Sequence, residues 1–226
     1  MFGTSNSRST ADATAGITAD SAARPVGPAD AGSRPGSRWR TVDIVVVAVI
    51  AAVFGVVYWA FGLLHISTWL GVAAPLAGFT NALFLIAGPL AALIVRRPGA
   101  ALAGELLAAI FEALVSVTWS GTSIVVYGVL EGLGAELVFL LLRYRRWNLA
   151  AALGAGALAG VAMVTLDLWI YDYYPTFSAG DQALYVAAGV LGGVVIAGGL
   201  GWGLVRALAA TGVLSPFAAG REQTLV

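Results

Sequence analysis

The residues most able to carry chemistry are five carboxylates that lie within long apolar segments: Glu105, Glu112, Glu131, Glu136 and Asp167. The twelve basic residues, all arginines, lie instead in the N-terminal tail, at junctions between apolar segments or at segment ends. Because a charged side chain costs about 2–3 kcal/mol on scales of membrane insertion, such residues are usually functional. Acidic side chains without a basic neighbour in the same segments predict a cavity that receives a positively charged guest.

Depth along the segments separates the carboxylates into two layers. Counting about 1.5 Å per helical residue from the segment boundaries places Glu131 near the middle of the membrane and Glu112 in the outer half. Asp167 falls close to the outer surface, and Asn81 lies at a depth similar to that of Glu131. With nearby aromatic side chains, they predict a ligand-binding site formed by Asn81, Glu112, Trp119, Tyr127, Glu131, Asp167, Trp169 and Tyr171.

The acidic and aromatic composition of this predicted site favours a flat organic cation. Carboxylates supply charge and hydrogen-bond acceptors, and each aromatic face attracts a delocalised cation by about 0.5–2 kcal/mol. A metal ion fits less well, because hard ions need about six or more clustered oxygen ligands. For Glu112 and Glu131, an interhelical hydrogen bond and a proton relay remain alternatives to ligand contact. For Asp167, a surface position at the level of the lipid headgroups is an equal alternative.

Glu105 and Glu136 form the second layer, nearer the side of the membrane that carries the arginines. Glu105 precedes Glu112 by seven residues, which places it on a similar helix face but about 10 Å nearer that side. For both residues a structural role is favoured, in which the carboxylate pairs with an arginine or caps a neighbouring helix.

Composition determines the class of the protein. Of the 226 residues, 59% are hydrophobic and only 11% are charged, and the mean hydropathy is +0.88. A soluble domain would carry about 25% charged residues. The chain has no cysteine, a single histidine, His65, and no glycine-rich phosphate loop, so an enzyme is not expected and no cofactor is predicted. The zero net charge gives no indication of nucleic-acid binding.

Apolar blocks of about 20 residues predict an all-α integral membrane protein with six transmembrane helices. Every second junction between them carries arginine, which by the positive-inside rule places both termini in the cytoplasm. We expect a disordered cytoplasmic tail over 1–37, a membrane domain over 38–210 and a C-terminal cytoplasmic tail over 211–226. The predicted spans are 42–62, 73–95, 98–117, 122–142, 149–171 and 182–208.

Small residues at four-residue spacing predict close helix contacts. In the first span, Ala48 and Ala52 form one such pair and Ala51 and Gly55 another, which together make a smooth ridge for a partner helix. In the fifth and sixth spans, the pairs Gly156/Gly160, Gly189/Gly193 and Gly199/Gly203 favour packing within the chain.

Four short runs of residues carry a family resemblance. They are Trp39-Arg40-x-Val42-Asp43, Arg96-Arg97-Pro98-Gly99-Ala100-Ala101, Glu131-Gly132-x-Gly134-x-Glu136 and Arg143-Tyr144-Arg145-Arg146. Together they resemble the substrate-binding S component of an energy-coupling factor (ECF) transporter, of the YkoE type associated with thiamine or its hydroxymethylpyrimidine precursor. The family more often has lysine before the Pro-Gly pair, and Arg97 preserves that charge.

The resemblance implies a six-helix vitamin-binding subunit with a pocket near the outer surface of a bacterial cell membrane. It also implies a transmembrane T component and two cytoplasmic ATPases as partners, with docking through Ala48 and Ala52. The expected function is capture of thiamine or a related pyrimidine for ATP-driven uptake by those partners. A stand-alone, proton-coupled transporter of a small organic cation, with Glu105 and Glu112 as its proton path, is the alternative, although no inverted repeat is apparent.

Overall fold

The computed structural model describes residues 38–65, 74–116 and 121–221, and these consist of helices joined by short turns. Short 3-10 segments, Ala74–Leu76 and Ala82–Leu85, flank the second helix, and two π-helical segments, Leu166–Ile170 and Gly193–Leu200, continue later helices. The α-helices are α1 (Thr41–His65), α2 (Ala77–Asn81), α3 (Ala87–Val95), α4 (Ala100–Val115), α5 (Gly121–Leu141), α6 (Leu149–Thr165), α7 (Ala179–Gly192), α8 (Gly201–Ala210) and α9 (Ala218–Arg221). The all-helical class is therefore confirmed.

Five helical stretches are long and apolar enough to cross a membrane, and they correspond to the first, second, fourth, fifth and sixth predicted spans. The predicted third span corresponds to α4, which has 16 residues and is shorter than the about 20 residues that cross the hydrocarbon core. Residues 117–120, which follow it, lie outside the described residues. The five stretches are Thr41–Leu64, Ala74–Val95, Gly121–Leu141, Leu149–Ile170 and Ala179–Ala210.

The second stretch is interrupted in its middle, where α3 begins. Pro89 lacks a backbone N–H and occupies the first turn of α3, a position that does not need one. The 3-10 segment Ala82–Leu85 ends just before it, so the regular α-helix is interrupted immediately before Gly88 and Pro89. All nine residues of α3 are buried, and α3 forms the centre of the helical bundle.

Glycines let the neighbouring helices approach to near backbone contact. A Cβ atom added to Gly55 of α1 would lie 2.5 Å from Cβ of Phe111 on α4. A Cβ atom added to Gly156 of α6 would lie 2.1 Å from the carbonyl oxygen of Gly193. The prediction that the glycines of the fifth and sixth spans pack within the chain is confirmed at Gly156 and Gly193, whereas a Cβ atom added to Gly203 would have no described heavy atom within 4 Å.

A polar contact joins the start of α1 to the turn between α3 and α4. Asp43 is fully buried and accepts hydrogen bonds from the backbone N–H of Arg40 at 2.9 Å and its side chain at 3.1 Å. Its carboxylate also lies 3.4 Å from Nε of Arg97. The indole N–H of Trp39 donates to the carbonyl oxygen of Pro98 at 3.1 Å. This buried carboxylate was not among the sequence-predicted ones.

Part of the predicted C-terminal tail folds back onto the helical bundle. In the segment after α8, Leu214 and Phe217 are buried, and the Arg40 guanidinium lies 6.0 Å from the centre of the Phe217 ring. Residues 222–226 and the predicted N-terminal tail over 1–37 lie outside the described residues.

Candidate functional site

A cavity lies among α1, α2, α4, α5 and α6. Its empty volume is about 650 Å³, including the part open to solvent, which falls within the range of small-molecule sites. The described residues that line it are Tyr58, Asn81, Phe84, Glu105, Ala109, Glu112, Ser123, Ile124, Tyr127, Gly128, Glu131, Met163, Asp167 and Tyr173.

Asp167 reaches the cavity from a π-helical segment. After Thr165, α6 widens into the π-helix Leu166–Ile170, a deviation often found at functional sites. One carboxylate oxygen of Asp167 accepts a hydrogen bond from the hydroxyl of Tyr127, and the other accepts one from Tyr185 at 2.6 Å. Both oxygens of this buried carboxylate therefore have partners within the protein.

Asn81 extends this network but keeps one group free. Its side-chain N–H donates to the hydroxyl of Tyr185 at 2.9 Å, and that hydroxyl donates onward to Asp167. The amide oxygen of Asn81 is buried and has no hydrogen-bond partner among the described residues. A buried acceptor without a donor is costly, so this oxygen is available to a ligand that brings an N–H or O–H group.

Glu105 caps the start of α3 from the floor of the cavity. One of its oxygens accepts the backbone N–H of Gly88 at 2.7 Å, and the other accepts the hydroxyl of Tyr58 at 3.1 Å. The Tyr58 hydroxyl itself accepts the N–H of Ala87 at 2.9 Å. These are the N–H groups that the first turn of a helix leaves unpaired. The prediction that Glu105 caps a neighbouring helix is confirmed.

Glu136 plays the equivalent role for α4, away from the cavity. It accepts the backbone N–H groups of Gly99 at 2.6 Å and Ala101 at 2.9 Å, together with the hydroxyl of Tyr144 at 2.8 Å. Burial and this carboxylate raise the pKa of the Tyr144 phenol above its usual value. The prediction of a helix-capping role for Glu136 is likewise confirmed.

Glu112 and Glu131 differ from the other carboxylates of the cavity. They are only 6% and 4% exposed, and the side-chain carboxylate of neither forms a hydrogen bond or ion pair with another described residue. No lysine, arginine or histidine is among the described lining residues. Two buried carboxylates without partners in the described part of the chain can therefore receive a ligand that carries positive charge and hydrogen-bond donors.

Aromatic rings form one wall near the end of the cavity at which Asp167 lies. The rings of Tyr127 and Tyr171 stack with centres 5.5 Å apart, and Tyr171 stacks in turn on Tyr173 at 5.5 Å. Tyr58 and Phe84 form a second aromatic contact deeper in the cavity, with ring centres 5.5 Å apart. These faces suit a flat aromatic ligand.

The structure brings most of the predicted site residues together. Asn81, Glu112, Tyr127, Glu131 and Asp167 line one cavity. Tyr171 lies behind the wall, stacked on Tyr127. Trp169 is 59% exposed and is not among the lining residues, and Trp119 lies outside the described residues.

Several lining residues were missed by reasoning from the sequence. Tyr58 and Tyr173 read as members of an interfacial aromatic belt, because both lie near the outer ends of apolar segments. Ser123 lies close to the arginine-free junction, where a hydroxyl is common. Phe84 and Met163 carried no signal that would separate them from other apolar residues of their helices.

The predicted ridge on α1 divides into two parts. Ala51 and Gly55 are buried, and Gly55 meets α4 at Phe111. Ala48 is exposed and Ala52 is partly exposed. The row formed by Ala51 and Gly55 therefore packs within the chain, and the adjacent row formed by Ala48 and Ala52 remains at least partly open.

Comparison with known proteins places the chain in a transporter family. The family model described as the permease component of an ABC-type cobalt transport system matches residues 42–162. A relative from Bacillus subtilis (strain 168), provisionally named HMP/thiamine permease protein YkoE, is 36% identical over 186 residues, covering 81% of this chain and 92% of the relative.

A solved structure agrees with these sequence matches. The crystal structure of an S component of an ECF transporter superposes with a TM-score of 0.74 at 34% identity, covering 83% of this chain and 94% of that one. The chain is thus a multi-pass protein of the cell membrane, without enzymatic activity, and it belongs to the family of substrate-binding S components of ECF transporters.

Proposed function

We propose that this S component captures thiamine or its hydroxymethylpyrimidine part from outside the cell. The observation that carries the proposal is the set of unpartnered acceptors in the cavity. Glu112, Glu131 and the amide oxygen of Asn81 are buried, and the described part of the chain supplies them with no donor or cation. Thiamine is a flat aromatic cation with an amino group, which matches both the acceptors and the aromatic wall.

The relative's name supports this ligand class, since it refers to HMP and thiamine. The matching family model refers instead to cobalt transport. Among the described residues, no three His, Cys, Asp or Glu side chains are arranged to hold one metal ion. The cavity geometry therefore favours an organic cation.

Direct binding to the purified chain tests this function. Isothermal titration calorimetry should show binding of thiamine or hydroxymethylpyrimidine and much weaker binding of the anionic vitamins biotin and folate. The two anions test the role of charge, because each brings negative carboxylate charge into a cavity whose lining already contains four carboxylates. Preference for biotin or folate would contradict the proposed function.

We also propose six membrane spans with both termini in the cytoplasm, so that the cavity faces outward. Contacts among the start of α1, the α3–α4 turn, the α5–α6 turn and the C-terminal segment support this orientation, because they bring the arginine-bearing ends together. The positive-inside rule assigns such an end to the cytoplasm. The arginines near this end are Arg38, Arg40, Arg96, Arg97, Arg143, Arg145, Arg146, Arg206 and Arg221.

Uptake would depend on a T component and two cytoplasmic ATPases, with Ala48 and Ala52 as the docking site. Around these alanines, α1 exposes Ile44, Val45 and Val49. Small side chains allow a partner helix to approach closely, and the surrounding apolar surface can be covered by it. The buried pair Ala51 and Gly55 would hold α1 on the bundle.

A further inference from the structure

Most hydrogen-bond donors of the cavity are already used in hydrogen bonds within the protein. The polar groups that remain available to a ligand are therefore almost all acceptors. The Tyr58 hydroxyl donates to Glu105, and the Tyr127 hydroxyl donates to Asp167. One of the two side-chain N–H groups of Asn81 donates to Tyr185, whose own hydroxyl donates to Asp167. Each of these donors is already directed at a protein acceptor, whereas Glu112 and Glu131 have no donor among the described residues.

We propose that the cavity takes the free alcohol form of its ligand and excludes the phosphate esters of the same compound. This inference rests on the proposed function and extends it to ligand selectivity. A phosphate ester brings about 1.5–2 negative charges at neutral pH and needs donors or cations around it. The described lining residues include no lysine, arginine or histidine that could supply them.

Two remaining hydroxyl groups do not change this balance. Ser123 and Tyr173 line the cavity and lie within hydrogen-bonding reach of each other. Both side chains are neutral, and a phosphate that recruited them would have to break the contact between them. Charge-assisted recognition of phosphate in proteins normally relies on arginine, lysine or free backbone N–H groups. Here, Glu105 and Tyr58 occupy the first N–H groups of α3.

The distribution of acidic groups with depth makes the exclusion independent of ligand orientation. Glu105 belongs to α4 and lies at the floor of the cavity, where it caps the start of α3. Glu112 lies about two turns further along α4. Asp167 lies at the outer end of α6, where its carbonyl oxygen accepts the N–H of Tyr173 at 2.9 Å. A phosphate inside the cavity therefore meets a carboxylate at either end.

Two alcohol–ester pairs test the inference on the purified full-length chain. They are thiamine against thiamine monophosphate, and hydroxymethylpyrimidine against its phosphate ester. The second pair is compact, so its phosphate stays nearer to the rest of the ligand than the phosphate of thiamine monophosphate does. Because uncompensated like charges in an interface are strongly unfavourable, each ester should bind at least about 100-fold more weakly than its alcohol. A difference of less than about tenfold in the compact pair would overturn the inference.

Charge-neutralising variants identify the source of the discrimination. Glu112→Gln and Glu131→Gln each remove one negative charge and introduce an N–H donor. In at least one of them, the ratio of ester to alcohol dissociation constants should fall several-fold, even if both affinities change. Asp172→Asn, at an exposed position outside the cavity lining, is the matched control and should keep the original ratio. An unchanged ratio in both glutamine variants would overturn the assignment.

The ratio is measured within each variant, so partial loss of folded protein does not alter it. If neither alcohol binds the unmodified chain, the proposed function fails and this inference fails with it. If the alcohols bind and their esters bind equally well, only the selectivity inference fails.

Discussion

The hydroxyl of Tyr58 on α1 lies 3.1 Å from a carboxylate oxygen of Glu105 on α4. The Tyr58 hydroxyl and the Glu105 carboxylate also accept hydrogen bonds from the first two backbone N–H groups of α3. One contact therefore joins three helices at the floor of the cavity. Because it satisfies groups that would otherwise be buried without partners, it contributes to stability as well as to the shape of the site.

Glu105→Gln should destabilise the chain. An amide cannot accept both hydrogen bonds with the strength of a carboxylate, so we expect a loss of about 1–3 kcal/mol, read as a lower midpoint of thermal unfolding in detergent. Glu112→Gln is the control, because Glu112 has no partner among the described residues. Equal loss in both variants would contradict the capping role of Glu105.

Glu112→Gln and Glu131→Gln should weaken thiamine binding while the fold is retained. Loss of a charge-assisted hydrogen bond costs about 1–3 kcal/mol, which calorimetry resolves as roughly a 5- to 150-fold increase in dissociation constant. Asp172→Asn again serves as control. Unchanged affinity in both glutamine variants would show that these two carboxylates do not contact the ligand.

Ala48→Leu should impair docking without affecting ligand binding. The larger side chain would fill the open part of the ridge, so co-purification with the T component and transport should both fall. Val57→Leu is a control on the exposed surface of α1, about half a turn out of phase with Ala48. Loss of thiamine binding in Ala48→Leu would show instead that this position supports the fold.

Gly55→Leu, by contrast, should lower the stability of the isolated chain itself. A Cβ atom at this position would lie 2.5 Å from Cβ of Phe111 and 2.8 Å from the carbonyl oxygen of Ala108. The isolated chain should therefore unfold at lower temperature, which a thermal melt without any partner detects. Normal stability combined with lost docking would assign Gly55 to the partner interface.

Transport should require the partner subunits. The chain alone in proteoliposomes is expected to bind thiamine without concentrating it, and the T component, both ATPases and ATP should start uptake. An ATPase that lacks its phosphate-loop lysine is the control for energy input. Accumulation driven by a pH gradient in vesicles with this chain alone would favour the proton-coupled alternative.

Much of the fold follows from local rules. Apolar blocks and arginine-bearing junctions predicted the helical segments. At most of the boundaries, the predicted end lies within three residues of the observed one, because the thickness of the bilayer strongly constrains segment length. The interruption at Pro89 was also predictable, since proline has no N–H to donate. The capping roles of Glu105 and Glu136 followed in part from their depth.

Other features depend on contacts between distant residues. Asp43 is buried because Arg97, 54 positions away, folds back to it, and no local pattern indicates that contact. The π-helix Leu166–Ile170 shifts the helical phase of the residues that follow. Trp169 therefore points away from the cavity lining while Tyr173 joins it, an arrangement that regular helical spacing cannot predict.

The length of α4 has a consequence for the surrounding bilayer. Its 16 residues span about 24 Å, some 6 Å less than the typical hydrocarbon thickness. Near its C-terminal end Leu114 is 77% exposed, and a hydrophobic mismatch of this size is expected to thin the adjacent leaflet. The expected consequence is a local depression in the membrane surface on the side of α4 that carries Glu112.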